Sequence, residues 1–150
     1  MLKALDVFLW GTRVGTAYCR EGHPIVQFEY SEEIRAMGVE VSPLVMPLGP
    51  TRFEFPDLPI QSFKGLPGLL SDSLPDKFGN KVIAAWLREQ GKGPEDLNAL
   101  DRLAYTGKRG MGALEYVPAL LDKEDRDEAV DVQELAQLAN DVLKDRSEAR

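Results

Sequence analysis

Residues 3–30 read KALDVFLWGTRVGTAYCREGHPIVQFEY, and the alternation in this stretch decides the fold. Leu5, Val7 and Leu9 fall on one side of an extended chain, and Asp6, Phe8 and Trp10 on the other. Gly11-Thr12 then offers a two-residue loop with glycine first, the pattern of a type II′ hairpin. Residues 13–19 alternate again, with Val14, Thr16 and Tyr18 on one face. The cluster Arg20-Glu21-Gly22-His23-Pro24 breaks that run. Residues 25–30 make a third strand, Val26, Phe28 and Tyr30 set against Gln27 and Glu29. Three strands joined by tight turns predict an antiparallel meander with one buried and one wet face.

Outward from the meander, Ser31 caps a short helical turn whose first residues, Glu32 and Glu33, suit the positive end of the helix dipole, and Gly38 ends it. Residues 39–45 suggest a fourth short strand. Pro43, Pro47, Pro50, Pro56 and Pro59 then forbid helix and central strand alike, so 43–59 is expected as an extended loop anchored on Phe53 and Phe55. The segment FKGLPGLLSDSLPDKFG, Phe63–Gly79, is a punctuated knuckle. Leu66, Leu69, Leu70 and Leu74 are its apolar anchors, Ser71-Asp72-Ser73 its capping oxygens, and Pro75 suits a first helical position. A helix follows over 76–90, with Phe78, Val82 and Trp86 on one stripe and Ile83 and Leu87 beside it. Pro94 opens a second helix with Leu97, Leu100 and Ala104 inward, closed by Tyr105-Thr106-Gly107. A glycine-rich loop, Gly107–Gly112, leads to a strand at 113–117 that Pro118 ends. Residues 122–131 are a charge run, read as a solvated linker. Asp131 with Glu134 resembles a capping box, and 132–143 carry one apolar face. That face must dock on the same domain, on a second copy or on a further region; a homodimer through 132–143 stays open. The fold class is α+β: a small antiparallel sheet or partial barrel with two to three helices and a C-terminal amphipathic helix.

The totals set bounds. At 150 residues and 43% hydrophobic the chain suits one domain, able to bury about 70% of its unfolded surface. No run approaches the roughly 18 apolar residues of a membrane span, and the N-terminus alternates like a strand and lacks a small-residue cleavage site. A single cysteine, Cys19, excludes an intrachain disulfide and points to a reducing, cytoplasmic compartment. A net charge of −7 argues against direct nucleic-acid contact.

The chemical inventory points away from catalysis. His23 is the only histidine and stands in a turn, so Ser-His-Asp and Cys-His arrangements have one candidate and a poor one. Cys19 is read as packing. Asp72 and Asp76 could pair as acid and base, but among 25 acidic residues capping and solvation explain them better. Gly107–Gly112, with Lys108 and Arg109, could cradle an anion, yet GxxxxGK[ST] is absent from the chain, and a tight helix-to-strand turn is favoured. Lys77-Phe78-Gly79 is one residue from a magnesium-holding DFG, and lysine cannot hold the metal. Trp10 and Trp86 are interface anchors or core. No cofactor, metal or catalytic residue is expected.

The order of the pieces carries a resemblance: Val14-Gly15-Thr16, VSPLVMPLG at 41–49, FKGLPGLLSDSLPDKFG at 63–79, AAWL at 84–87, YTGKRGMGAL at 105–114 and EYVP at 115–118. In this it resembles the N-terminal subdomain of the HipA family, the serine/threonine-kinase toxins of bacterial HipBA toxin–antitoxin modules. The likeness covers residues 3–118; 119–150 resemble, more loosely, a linker and the first helix toward the kinase core. It divides the chain into a 1–118 module, a 119–130 linker and a 131–150 helix. In the family the ATP-binding loop and catalytic residues lie beyond this region, so the resemblance implies a non-enzymatic, protein-binding domain. Its partner would be a HipA- or HipT-type kinase polypeptide, in cis or in trans, with a HipB-like DNA-binding antitoxin as a further partner, and no direct nucleic-acid or membrane contact. Two situations fit: a stand-alone antitoxin like HipS of the HipBST systems, or the N-terminal part of a full-length kinase toxin acting on a protein such as an aminoacyl-tRNA synthetase. The expected partner-binding residues are Leu66, Leu69, Leu70, Asp72, Trp86, Lys108 and Arg109. Rival readings are a nucleotide-binding phosphotransferase fragment using the 107–112 loop and a DNA-associated module.

Overall fold

The computed structural model describes residues 2–20, 22–107, 113–119, 134–138, 140–142 and 144. Strands β1 (Ala4–Leu9), β2 (Thr12–Tyr18) and β3 (Gln27–Tyr30) form the meander, and β4 (Arg52–Phe53) and β5 (Leu114–Pro118) complete an antiparallel sheet of five strands in the order β4-β3-β2-β1-β5. The helices are α1 (Glu32–Met37), α2 (Ile60–Phe63), α3 (Gly68–Ser71), α4 (Lys77–Glu89) and α5 (Ala99–Thr106), with helical residues again at 134–138 and 140–142. The fold is α+β, as the sequence predicts.

One face of the sheet is the core face. Leu5, Val7, Ala17, Phe28, Tyr30 and Tyr116 are buried on it, packed against Leu66, Leu70, Leu100 and Leu103 from α3, α5 and the segment before α3. The other face carries a polar belt. The Thr16 hydroxyl donates to Asp6 Oδ1 at 2.7 Å, Arg52 reaches Glu29 at 3.2 Å, and the Arg52 guanidinium lies 5.9 Å from the centre of the Tyr18 ring. A second cluster joins Ile83, Trp86 and Leu87 of α4 to Tyr105 and Leu135. Leu135 is almost fully buried there, so the C-terminal helical residues dock on the same domain, one of the three destinations left open above.

Several local expectations change. The first loop is Trp10-Gly11, not Gly11-Thr12, because Leu9 pairs with Thr12. Trp10 (φ 48°) and Gly11 (φ 81°) are both left-handed, a type I′ turn whose twist matches the flanking strands. Alternation also fails in β2. Pairing passes from Val7–Gly15 to Phe8–Arg13, so Val14 is an inserted bulge residue. Gly15 and Ala17 therefore join Val7 and Leu5 on the core face, and Thr16 and Tyr18 go to the polar one. The expected strand at 39–45 reduces to a bridge between Ser42 and Met46, since Pro43 has no N–H to donate. The fourth strand lies instead within the proline-rich loop. It is an edge of two residues, the place where nearby prolines are tolerated. Pro94 starts only a 3₁₀ turn, and the chain re-caps at Asn98. The Asn98 carboxamide oxygen accepts from Asp101 N–H at 2.9 Å, and Asp101 Oδ2 accepts from Asn98 N–H at 2.8 Å. The cap of α4 is likewise Asp76, whose carboxylate accepts from Gly79 N–H at 2.8 Å, rather than Ser71–Ser73 with Pro75 inside the helix.

Candidate interaction sites

The knuckle is an internal brace laid along the core face. At its front, Gly65 (φ 79°) passes so close to Pro24 that an added Cβ would sit 1.9 Å from that carbonyl oxygen, and the Gly65 carbonyl accepts from Val26 N–H at 2.9 Å. At its back, Ser73 accepts from the Tyr116 hydroxyl at 2.6 Å, and its carbonyl accepts from the Thr106 hydroxyl at 2.9 Å. Leu66 and Leu70 are wholly buried between these ends. Leu69 and Leu74 are half-buried against the same core, and Asp72 is exposed. Trp86 belongs to the second cluster and is buried. Of the residues expected to meet a partner, the structure thus places Leu66, Leu70 and Trp86 inside the domain and leaves Leu69 and Asp72 accessible. Lys108, Arg109 and the rest of the 107–112 loop beyond Gly107 lie outside the described residues, as do the charge run and Asp131.

The exposed apolar side chains lie elsewhere. Trp10, at the tip of the β1–β2 hairpin, is 84% exposed and Leu44 96%, with Val45 and Met37 also largely exposed. The hairpin tip and α1 share one end of the sheet, because α1 starts on Ser31, whose N–H donates to Val14 O at 2.8 Å and whose hydroxyl donates to Arg13 O. Leu44 and Val45 cap the tight loop that Ser42 and Met46 close, and the Met46 carbonyl accepts from the Tyr30 hydroxyl at 2.6 Å. Burial, with a smaller push from the Glu40 charge, raises the Tyr30 phenol above its ordinary pKa.

The opposite end of the sheet holds a cavity of about 920 Å³. Leu2, Lys3, Cys19, Arg20, His23 and Pro24 line it from the meander, Ile60 and Lys64 from α2 and its end, and Asn98 and Arg102 from α5. The N-terminal chain is tied in by buried Asp101, whose Oδ1 accepts from Leu2 N–H at 3.0 Å, while Asn98 Nδ2 donates to Leu2 O at 2.7 Å. Burial pushes the Cys19 thiol up, and the nearby Asp101 charge pushes it further, so the thiolate a nucleophile needs is suppressed. Sequence reasoning missed this cavity; its residues come from four separated segments, and each cation alone reads as a solvated side chain. Among the described residues there is no cluster of three or more His, Cys, Asp or Glu able to hold a metal ion, and no helix long and apolar enough to cross a membrane.

The domain is an open antiparallel sheet braced by a buried proline–glycine knuckle, with exposed apolar side chains at one end and cations at the other. The chain belongs to a known family: the model of the HipA N-terminal domain matches residues 5–117, from within β1 to within β5, which places the chain in the HipA-type toxin–antitoxin class. Comparison with curated proteins and with solved structures returned no match.

Proposed function

We propose that this chain is a non-catalytic, protein-binding module of a HipA- or HipBST-type toxin–antitoxin system that binds a HipA- or HipT-type serine/threonine kinase polypeptide and inhibits it. Family membership supports the class of system. The observation that carries the binding role is Trp10: a bulky residue in a left-handed turn position, 84% exposed, where folding alone favours Asn or Gly. Tryptophan is among the residue types that most often anchor an interface. Trp10 is the principal contact, Leu44 and Val45 provide a second, and Leu69 and Asp72 are the outward groups of the knuckle. Mechanism follows by occlusion. The hairpin end lies against the kinase and blocks its active arrangement, while the knuckle acts by holding the sheet that presents Trp10. Lys108 and Arg109 are retained as contacts in the same proposal, next in sequence to Gly107, which bonds Tyr116.

The test is co-expression with the kinase of the same locus, read as growth rescue, together with calorimetric binding of the purified pair. The native chain rescues growth; Trp10→Ala combined with Leu44→Asp folds normally, loses binding by at least about 100-fold (~2.7 kcal/mol) and loses rescue. Undiminished binding by that double variant would overturn the assignment of the surface, and absence of any complex would overturn the module reading. Leu69→Asp tests the knuckle contact separately.

A further inference from the structure

The cavity at the far end of the sheet has a charge pattern unlike the rest of the chain. The protein carries −7 overall, yet the lining includes Lys3, Arg20, Lys64 and Arg102 and, among the described residues, no carboxylate; buried Asp101 stands behind the lining, its Oδ1 taken up by Leu2 N–H. The same lining includes buried Leu2 and Val26, half-buried Leu97 and exposed Ile60. Its volume, about 920 Å³, falls in the range of small-ligand sites, which pair an apolar floor with a few convergent polar groups.

The cations differ in how they are held. Arg102 Nη1 donates to Asn80 Oδ1 at 3.2 Å, which fixes that guanidinium on α5, and Lys3 is already engaged within the protein. Arg20 and Lys64 have no side-chain hydrogen bond or ion pair among the described residues. They come from separate segments, Arg20 after β2 and Lys64 at the end of α2, whose left-handed backbone (φ 54°) turns the chain directly into Gly65. Gly65 in turn is pressed against Pro24, another lining residue, so the walls are locked together by backbone packing. A bonded guanidinium and two open cations beside apolar lining residues suit a ligand that is polyanionic at one end. Two arginines provide the planar forks that match phosphate oxygens, and the lysines add point charge.

We infer that this cavity is a binding site for a phosphorylated small molecule, with Arg20, Lys64 and Arg102 holding the phosphate groups and Leu2, Val26 and Leu97 contacting its carbon body. The site is separate from the hairpin surface and does not rest on the kinase-binding reading. It also differs from a nucleotide site built on the 107–112 loop.

Cys19 lines the cavity and is the only cysteine, so it reports occupancy without a label elsewhere. The experiment follows modification of the full chain by iodoacetamide, a neutral reagent, with inorganic pyrophosphate, ATP or adenosine added at low ionic strength. At an anion concentration about ten times its dissociation constant, some nine-tenths of the protein is occupied and modification slows about tenfold. Pyrophosphate and ATP are expected to do this and adenosine is not. Arg20→Ser and Lys64→Ser, both exposed and expected to keep the native melting temperature, should each weaken the anion effect at least fivefold, whereas Lys108→Ala with Arg109→Ala should leave it intact. Protection by ATP with none by pyrophosphate, protection that survives Arg20→Ser and Lys64→Ser, or no protection by either anion at millimolar concentration would each overturn the site. If Arg20→Ser or Lys64→Ser fails to fold, charge removal is replaced by salt: protection by pyrophosphate must fall steeply as sodium chloride rises, and salt-independent protection overturns the proposal.

Discussion

Gly65→Ala should be among the most damaging single-methyl changes in the chain, and its size can be worked out in parts. Gly65 has φ 79°, a left-handed conformation that costs an L-residue about 1–2 kcal/mol. The added Cβ would also meet Pro24 O at 1.9 Å, Pro24 C at 3.0 Å and Ile25 Cα at 3.2 Å. All three are backbone atoms, so no side-chain rotation relieves the clash. Separating the two segments breaks the Val26 N–H to Gly65 O hydrogen bond, now 2.9 Å, and leaves a buried donor unpaired at about 1–3 kcal/mol. The total is about 3 kcal/mol. Gly38→Ala is the control: Gly38 has φ 68° but nothing within 4 Å of its added Cβ, so it should cost only about 1 kcal/mol. Urea denaturation of both variants, compared at equal m-value, isolates the close approach from the backbone term. If Gly65→Ala costs no more than Gly38→Ala, the knuckle is not locked to the β2–β3 connection, and the rigidity ascribed to the cavity walls goes with it.

Three further outcomes follow from the packing. Trp10→Asn should raise stability by about 0.5–1 kcal/mol, since Asn-Gly suits a type I′ turn better than Trp-Gly, while weakening kinase binding; a stability loss would mean that Trp10 packs against the protein after all. Leu135→Ala removes a buried side chain from the cluster of Ile83, Trp86, Leu87 and Tyr105, and should cost about 2–3 kcal/mol with a red shift of Trp86 emission; unchanged fluorescence would refute docking of the C-terminal helical residues. Burial raises the Tyr116 phenol, against an opposing Ser73 hydrogen bond and with added push from Asp72, and burial raises Tyr30 too. The folded state then keeps its phenolic protons after the unfolded chain has begun to lose them, so these groups' stabilisation is intact below about pH 10 and is lost as pH rises through their higher folded values. Tyr116→Phe should flatten that alkaline fall in chemical-denaturation stability, and an unchanged slope would refute it.

Much of this fold is legible in the residues because local chemistry and tertiary packing agree. Ser31, Glu32, Glu33 and Gly38 define α1 at both ends, and Val26, Phe28 and Tyr30 lie on the face their alternation assigns. Reading fails where one residue is inserted or where a rule has two solutions. The Val14 bulge shifts the phase of β2 without any change in composition, and Gly11 suits the second position of a type I′ turn as well as the first of a type II′. The start of α5 was obscured because Pro94 is a strong helix signal and Asn98 a quieter one, although the Asn98–Asp101 spacing is that of a capping box. The knuckle leucines are legible as apolar anchors, but sequence does not tell an anchor into the protein from one into a partner. Leu66 and Leu70 are the former.

The strand order has a consequence for synthesis. β1 lies between β2 and β5, and Val7 pairs with Gly15 on one side and Tyr116 on the other. On the ribosome, the first of these neighbours emerges almost at once and the second only after most of the chain has been made. Until then β1 has one open edge and a half-covered apolar face, the condition in which strands find wrong partners. The meander can form early, but the sheet is completed only when Leu114–Pro118 is released, and such long-range pairing is intrinsically slow. The sheet of this domain is therefore completed only by its last strand, before Leu135 can dock on the second cluster, and translation stalled before Leu114 would leave the nascent chain open to association through β1.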